Sequence, residues 1–244
     1  MKSVGKKILK QCGLFDFACY AAPRLLRLKN RLLRADERII RDYLATERAK
    51  KLQIGTGNNI RPGWLNSDYY SWHRGVIHLD ARKRFPLPDA CLDIVFSEHM
   101  IEHIPFTAVR SMFGECFRTL KPGGRIRIGT PDLGFLIDLY REDKSDLQRR
   151  YVEWAVEKYL PEAPAAYDTF VINNFVRDWG HLFIWDEKTL RRALEDAGFV
   201  DIARKALGRS DCEELRSLEN EERMPEGFLA LESLTVEARK PLTS

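Results

Sequence analysis

The chain has 244 residues, of which 44% are hydrophobic and 31% are charged, a composition typical of globular proteins rather than of disordered or fibrous ones. It contains no run of about eighteen apolar residues, and its N-terminus lacks an apolar core followed by a small-residue cleavage site. We therefore expect neither a membrane-spanning helix nor a signal peptide. The five cysteines form no CxxC pair, so we predict free thiols and a cytoplasmic location.

The charge is unevenly distributed along the chain. Residues 1–34 carry nine Lys and Arg residues and one Asp, a net charge of +8, which leaves −4 for the rest. Leucines recur at helical spacing over 23–45, and another face carries four arginines: Arg24, Arg27, Arg31 and Arg34. We predict a basic helical extension over 1–48. It either packs on the body or makes peripheral contact with an anionic membrane through residues 2–34, while the acidic body argues against nucleic acid as a partner.

Downstream, short apolar runs alternate with helical patterns, which is typical of a parallel sheet with helices on both faces. The predicted strands are KLQIG, WLNSDYY, GVIHLD, LDIVFSE, RIRIGTPD, DIARKALG and LALESLTVEARK. Residues 133–179 interrupt the alternation with helical, aromatic and polar segments, so we interpret them as an insertion or lid. The predicted fold class is α/β, a Rossmann-like sheet of seven mostly parallel strands, the last one antiparallel.

The first predicted strand ends in a glycine turn, Gly55-Thr56-Gly57-Asn58. Ligands of open parallel sheets bind beyond the carboxyl ends of the strands, and glycines let the backbone approach a ligand closely. The second strand ends at Asp68, whose carboxylate can accept two ribose hydroxyl protons, and the third ends at Asp80, which can accept from an adenine amine. The turn lacks a third glycine and a GxxxxGK[ST] sequence, so it offers no anchor for a diphosphate. These positions predict an adenosine site.

An ordered set of motifs resembles the class I S-adenosylmethionine-dependent methyltransferases over roughly residues 50–240: LQIGTGNN, LNSDYY, VIHLDARKRFPLPDACLDIVFSEHMIEHI, LKPGGRIRIGTPDL and LEDAGF. NNFVRDWGHLFIWDEKTL and ESLTVEARKP are similar to the methyltransferase-11-like branch that is associated with bacterial polysaccharide biosynthesis. The resemblance implies S-adenosylmethionine as the cofactor. It also implies a cofactor-binding half over 49–134, a helical insertion or lid over 135–180 and a C-terminal half over 181–244.

The same resemblance implies a set of cofactor contacts: Gly55, Thr56, Gly57, Asn58, Asp68, Asp80, Ala81, Ser97 and Glu98. The sequence departs from the family pattern at two positions. Gln53 replaces the acid that usually precedes the turn, and Asn59 replaces the third glycine. Both departures are expected to weaken cofactor affinity, although Gln53 can still form hydrogen bonds.

Histidines and polar residues near the insertion supply candidates for the acceptor side. We predict His181 as a general base, with His99 as the second candidate, because imidazole titrates near neutral pH; a histidine satisfied by the backbone is the alternative for each. The predicted substrate-facing residues are Asp132, Asn173, Asn174 and Arg177. His99 and His103 stand four residues apart, but HMIEH differs from the zincin order HExxH and the sequence indicates no third ligand. We therefore assign no metal.

Together these features predict methyl transfer to a polar acceptor, and the resemblance favours a hydroxyl of a sugar or glycan precursor. Such a hydroxyl is a weak nucleophile at neutral pH, so a general base would help. Two alternatives stay open: a methyltransferase acting on another small molecule, such as an amine, and a non-catalytic cofactor-binding partner of a glycan assembly complex.

Overall fold

The computed structural model describes residues 34–70 and 73–243. The basic arm over residues 2–33, and with it three of the four arginines proposed to face a membrane, lies outside the described residues. Among the helices that are described, none combines the length and the apolar character needed to cross a bilayer.

A seven-stranded sheet forms the centre of the molecule. Its strands are β1 (Lys51–Ile54), β2 (Leu65–Asp68), β3 (Ile77–His78), β4 (Leu92–Glu98), β5 (Leu120–Pro131), β6 (Val200–Arg204) and β7 (Ser233–Arg239). Their order in space is β3-β2-β1-β4-β5-β7-β6. All pairs from β3 to β5 are parallel, whereas β7 runs antiparallel to both β5 and β6. This confirms the predicted α/β Rossmann-like sheet and sets its topological switch point between β1 and β4.

Seven α-helices accompany the sheet within the described residues: α1 (Ala35–Thr46), α2 (Phe106–Thr119), α3 (Leu133–Leu139), α4 (Asp146–Tyr159), α5 (Asp168–Arg177), α6 (Glu187–Asp196) and α7 (Phe228–Glu232). The main apolar core lies between the sheet and its flanking helices, and Val95, Phe113 and Leu190 are each fully buried in it. Pro105 separates α2 from a short 3₁₀ turn, Ile101–His103, because the residue before a proline is driven to extended backbone. The end of β4 therefore leads into an irregular loop rather than directly into a helix.

Two strand predictions differ from the structure. The chain over LALE forms the end of α7 instead of the start of a strand, since Gly227, at φ 82°, opens a helical turn. β5 begins at Leu120 rather than after the KPGG turn. Gly123, at φ 79°, bends the backbone there, so β4 pairs first with Leu120 and then with Arg125.

Helices α3, α4 and α5 have an apolar core of their own. Phe135, Tyr151 and Phe175 are buried in it, together with Phe228 from α7. The ring of Tyr151 lies 5.1 Å from that of Phe135 and 5.2 Å from that of Phe228. The predicted insertion is therefore helical and packs against the segment before β7, while its role as a lid and the domain boundaries remain predictions.

The connection from β6 to β7, residues 205–232, is tied to the sheet by a buried ion-pair cluster. Arg127 on β5 is fully buried, and its Nε donates to Glu219 over 2.6 Å while an Nη donates to Glu237. Leu215 and Leu218 of the same connection pack against Trp64 and Phe96. These contacts hold the connection across the end of the sheet where β4 finishes.

Candidate active site

The glycine turn after β1 has a left-handed backbone conformation at both of its glycines. Gly55 has φ 74° and Gly57 has φ 50°, a left-handed region that glycine enters without strain. The N–H groups of Gly55 and Thr56 both donate to the carbonyl oxygen of Ser67, each over 3.0 Å. The turn is thus fastened to β2 before any ligand binds.

Asp68 stands beside this turn at the end of β2. Its carboxylate accepts from the N–H of Gly57 and from the N–H of Tyr70, each over 2.8 Å. Each oxygen retains a lone pair for a ligand hydroxyl. A Cβ on Gly57 would meet no atom within 4 Å, so space is open next to the turn, and Asn58 is exposed there. These residues fit the ribose end of an adenosine-containing cofactor.

The other predicted cofactor residues are Asp80, Ala81, Ser97 and Glu98. Asp80 is engaged by its neighbour Arg82, whose Nε and Nη2 lie 2.8 and 3.1 Å from the carboxylate, and these hydrogen bonds hold the pKa of Asp80 below its usual value. Ala81 and Ser97 are buried, and the Ser97 hydroxyl makes no hydrogen bond to a described residue. Burial raises the pKa of Glu98, which accepts from the N–H of Asn220 over 3.1 Å.

A second concave site lies next to the end of β4, where the insertion and the β6–β7 connection meet. This cavity, of about 360 Å³, is hereafter the histidine pocket; its lining residues are His99, Glu102, His103, Pro131, Tyr151, Trp154, Tyr159, Phe175, Trp179, His181, Arg223, Met224 and Glu232. It brings together the two histidines that the sequence predicted as bases. Five aromatic side chains from the insertion form one wall.

Glu102 forms the floor of the histidine pocket. It is fully buried, and its Oε2 accepts from the hydroxyl of Thr130 over 3.1 Å. Its Oε1 makes no hydrogen bond within the described residues but lies 3.5 Å from Nδ1 of His99 and 3.8 Å from Nε2 of His103. Burial raises the pKa of Glu102 to about 8.

The histidine rings are oriented by fixed partners. Nδ1 of His181 lies 2.6 Å from the carbonyl oxygen of Phe175, and because a carbonyl only accepts, Nδ1 carries the proton and Nε2 keeps its lone pair. Nε2 of His99 lies 3.0 Å from the hydroxyl of Ser233. Burial lowers the pKa of His181, of His103 and, most strongly, of His99. These shifts favour the neutral form of each ring.

Two residues of the histidine pocket have strained backbones. His99 has φ 45° and Trp179 has φ 56°, values that cost non-glycine residues about 1–2 kcal/mol each. The N–H of Leu182 donates to the carbonyl oxygen of Glu102 over 2.7 Å, which fixes the 179–182 turn above the carboxylate. Such strain is typical of functional sites, where the surrounding packing enforces it.

The four predicted substrate-facing residues do not line the histidine pocket. Asp132 caps α3 by accepting from the N–H of Gly134 and pairs with Arg204, each over 2.8 Å. Asn174 is buried and donates to the Asp178 carboxylate over 3.1 Å. Asn173 faces a separate apolar cavity on the insertion, and Arg177 is exposed. Asn173 also donates to the carbonyl oxygen of Thr169 over 2.9 Å, so Asp132, Asn173 and Asn174 each have a hydrogen-bond partner within the protein.

Several residues of the pocket were not singled out from the sequence. Glu102 was overlooked because a carboxylate within a helical pattern is usually solvated. Arg223 and Glu232, whose side chains approach within 3.7 Å, come from a connection without any motif. The aromatic wall had one signal, the aromatic content of residues 133–179. His103 faces Glu102 and His181, with 4.9 Å between the centroids of the two imidazole rings.

The strand order places the glycine turn at the switch point of the sheet with Asp68 beside it, where open α/β sheets bind their ligands. The methyltransferase domain family (Methyltransf_11) matches residues 45–128, the segment that carries the glycine turn and the end of β4. For that segment, the predicted methyltransferase domain and its S-adenosylmethionine cofactor are confirmed.

A probable S-adenosylmethionine-dependent methyltransferase of Mycolicibacterium smegmatis is 45% identical over 47 residues, which are 19% of this chain and 18% of that protein. The chain thus matches less than a fifth of the length of this relative.

Several solved structures resemble the chain at low identity. A methyltransferase from Archaeoglobus fulgidus is 17% identical, with a TM-score of 0.47, over 89% of this chain and 94% of its own. Phosphoethanolamine N-methyltransferase 2 from Haemonchus contortus, in complex with S-adenosylmethionine, is 16% identical, with a TM-score of 0.41, over 85% of this chain and 52% of its own. At such scores, the fold assignment depends on the strand order of the chain itself.

Proposed function

We propose that the protein transfers a methyl group from S-adenosylmethionine to a polar acceptor bound in the histidine pocket. The observation that carries this proposal is the adjacency of the two sites. Ile54, at the end of β1, pairs with Ser97 of β4, so the glycine turn and the loop bearing His99 to His103 leave the same edge of the sheet. Gly55 and Met100 of that loop lie so close together that a Cβ added to Gly55 would be 2.4 Å from Cγ of Met100. The glycine turn and the loop of the histidine pocket are therefore in contact.

The chemistry is divided between the two sites. The cofactor supplies a methyl group already activated by its sulfonium, so the chain has mainly to align the reacting groups. The glycine turn and Asp68 hold the cofactor. His181, whose Nε2 is free, is the proposed base that takes the acceptor proton, and His99 is the second candidate.

The preferred acceptor is a hydroxyl of a sugar or glycan precursor. Trp154, Tyr159 and Trp179 line the pocket together with Arg223 and Glu232, a combination of apolar surface and hydrogen-bonding groups that suits a sugar. The branch associated with polysaccharide biosynthesis, which the sequence resembles, is consistent with such an acceptor.

An amine is the second candidate acceptor. Buried aromatic rings attract cations through their π faces, and the carboxylates of Glu102 and Glu232 lie in the same pocket. Incubation with methyl-labelled cofactor and pools of extracted glycans or of small amines separates the two candidates. Label in the amine pool alone would overturn the sugar proposal, and label in neither pool despite cofactor binding would favour the non-catalytic alternative.

Cofactor binding is tested by the thermal stability of the protein. S-adenosylmethionine and S-adenosylhomocysteine should stabilise it by about 2.7 kcal/mol at a hundred times their dissociation constants, whereas NAD should not. Asp68→Ala should remove most of that shift, because the carboxylate is positioned beside the turn by the N–H groups of Gly57 and Tyr70. A lack of response to both sulfur compounds would refute the proposed function.

The basic arm is proposed to make peripheral contact with an anionic membrane, where a glycolipid acceptor would reside. Each basic residue near such a surface contributes on the order of 1 kcal/mol, and salt screens it. Sedimentation with anionic liposomes should distinguish the protein from a variant with Arg24, Arg27, Arg31 and Arg34 all changed to Gln. Equal pelleting of the two proteins would refute the contact.

A further inference from the structure

We propose that the histidine pocket binds one divalent transition-metal ion through Glu102, His103 and His181. A carboxylate oxygen of Glu102 and one ring nitrogen from each histidine all lie within 4.8 Å of one another. This site depends on the proposed function only for its use in catalysis, because ion binding is measurable without turnover.

The three ligand atoms come from two segments that the fold brings together. Glu102 and His103 belong to the 3₁₀ turn after β4, and His181 follows the insertion. The sequence indicated two histidines four residues apart but no third ligand. In the structure, only His103 of those two histidines belongs to the ligand set, together with its neighbour Glu102. The third ligand, His181, lies 78 residues beyond His103 and is brought close because the N–H of Leu182 donates to the carbonyl oxygen of Glu102 over 2.7 Å.

The unpartnered oxygen of Glu102 is the strongest single observation. Glu102 is fully buried, and Oε1 makes no hydrogen bond among the described residues, although Oε2 is satisfied by Thr130. A buried carboxylate oxygen without a partner is costly, and a cation would satisfy it directly. Nδ1 of His99, 3.5 Å away, flanks the same oxygen, so the carboxylate faces imidazole nitrogens on two sides.

The histidines are oriented as metal ligands usually are. A ligating imidazole typically donates its other N–H to a carbonyl or carboxylate, which fixes the tautomer and aims the free nitrogen at the metal. Nδ1 of His181 lies 2.6 Å from the Phe175 carbonyl oxygen, which leaves Nε2 free. His103 also interacts through its ring with the backbone of Trp179 and Gly180, while its Nε2 lies 3.8 Å from Oε1 of Glu102.

The ligand set indicates the kind of ion. Two imidazoles and one carboxylate are a common set for zinc and for other first-row divalent ions. Ligand atoms around a four-coordinate zinc lie about 3.3 Å apart, so the 3.8 Å between His103 and Glu102 needs a small side-chain adjustment. Three protein ligands leave an open position toward the cavity, where an acceptor oxygen or nitrogen can bind. An ion there would polarise the acceptor, and Nε2 of His181 would serve as its ligand instead of as a free base.

The test is metal binding by tag-free protein that has been treated with a chelator. Isothermal titration with Zn²⁺, followed by metal analysis of the dialysed protein, should give one ion per chain. Glu102→Gln, which keeps the shape of a protonated carboxyl, and His181→Ala should each weaken binding at least 100-fold. His73→Ala, which changes a histidine outside the pocket, should leave binding unchanged. Folding of each variant is checked by its cooperative thermal transition.

Cobalt spectroscopy separates this site from adventitious binding to cysteines. Co²⁺ bound by nitrogen and oxygen shows d–d bands without a sulfur-to-metal charge-transfer band, and these d–d bands should be lost in Glu102→Gln. The inference is overturned if stoichiometric binding is absent, if Glu102→Gln binds like the wild type, or if the spectrum shows thiolate ligation. Cofactor binding is measured on the same preparations: if S-adenosylmethionine binds but Zn²⁺ does not, this inference fails alone, and if S-adenosylmethionine does not bind, the proposed function fails independently.

Discussion

The glycine turn and the histidine pocket share an edge of the sheet but are built in different ways. The turn is held by backbone hydrogen bonds within 55–70, and its polar groups are near the surface. The pocket takes side chains from the end of β4, the insertion and the β6–β7 connection, and its floor is the fully buried Glu102.

Because of this difference, the geometry of the two sites depends on different parts of the fold. A turn that is fixed by neighbouring backbone tolerates changes elsewhere in the fold, because its geometry is local. A pocket assembled from distant segments depends on every contact that holds those segments in place. Changes remote from the histidine pocket should therefore alter it, whereas changes remote from the glycine turn should not.

The largest expected effect is on turnover in His181→Ala. Loss of its Nε2 should lower the rate by about 10²–10⁴-fold and leave the affinity for S-adenosylmethionine nearly unchanged, because the ring lies in the histidine pocket and not at the turn. Initial rates and cofactor titrations measure the two quantities. Asn173→Ala is the matched control, since Asn173 faces a separate cavity and its loss should alter neither. Near-normal turnover in His181→Ala would assign proton removal to another group.

Arg127→Ala should be the most destabilising of these changes. It leaves Glu219 and Glu237 as buried carboxylates without their cation, which costs about 3–5 kcal/mol. Urea unfolding measures the loss. Arg82→Ala, at the cofactor side, is the control: the Arg82 side chain is 47% exposed, and such pairs contribute about 1 kcal/mol or less. Equal losses of unfolding free energy in Arg127→Ala and Arg82→Ala would contradict the expectation that the buried ion pairs contribute more than the exposed one.

Two alanine substitutions in the glycine turn separate backbone strain from crowding. Gly55→Ala and Gly57→Ala both place a side chain at positive φ, which costs about 1–2 kcal/mol. Only the first also crowds Met100, at 2.4 Å. The excess loss in Gly55→Ala should therefore disappear when Met100→Ala is added, as measured by a double-mutant cycle of unfolding free energies. An unchanged excess would show that Met100 does not pack on the turn.

The smallest expected effect depends on pH. Hydrogen bonds from Arg82 lower the pKa of Asp80 in the folded protein, so ionised Asp80 stabilises the fold above the unfolded pKa of about 4. As pH falls through the lowered value, Asp80 is protonated in the folded state and the stabilisation is lost. Asp80→Asn should be less stable than the wild type by about 1 kcal/mol at pH 7 and by almost nothing at the acid end. A gap independent of pH would exclude the ion pair as its cause.

The sequence was informative where the structure is local. Strand alternation predicted the sheet, and the glycine turn with Asp68 could be located because their contacts lie within eleven residues. The histidine pocket could not be derived from the sequence, because His103 and His181 are not related by any helical or strand periodicity. The aromatic wall of the pocket also depends on how α4 and α5 pack. Asp132 was predicted to face the substrate; in the structure its carboxylate accepts from the N–H of Gly134 and pairs with Arg204, and a role toward the substrate stays a prediction.

The position of β7 has a consequence for folding during synthesis. This strand follows β6 along the chain, yet it lies between β5 and β6 in the sheet. Until it inserts, the edge of β5 has no partner and β6 has nothing to pair with, because β6 pairs with β7. An emerging chain would therefore expose an apolar strand edge, the kind of surface on which aggregation begins. Insertion of β7 completes the sheet and also brings Ser233 to His99, so the histidine pocket is complete only once this strand is in place.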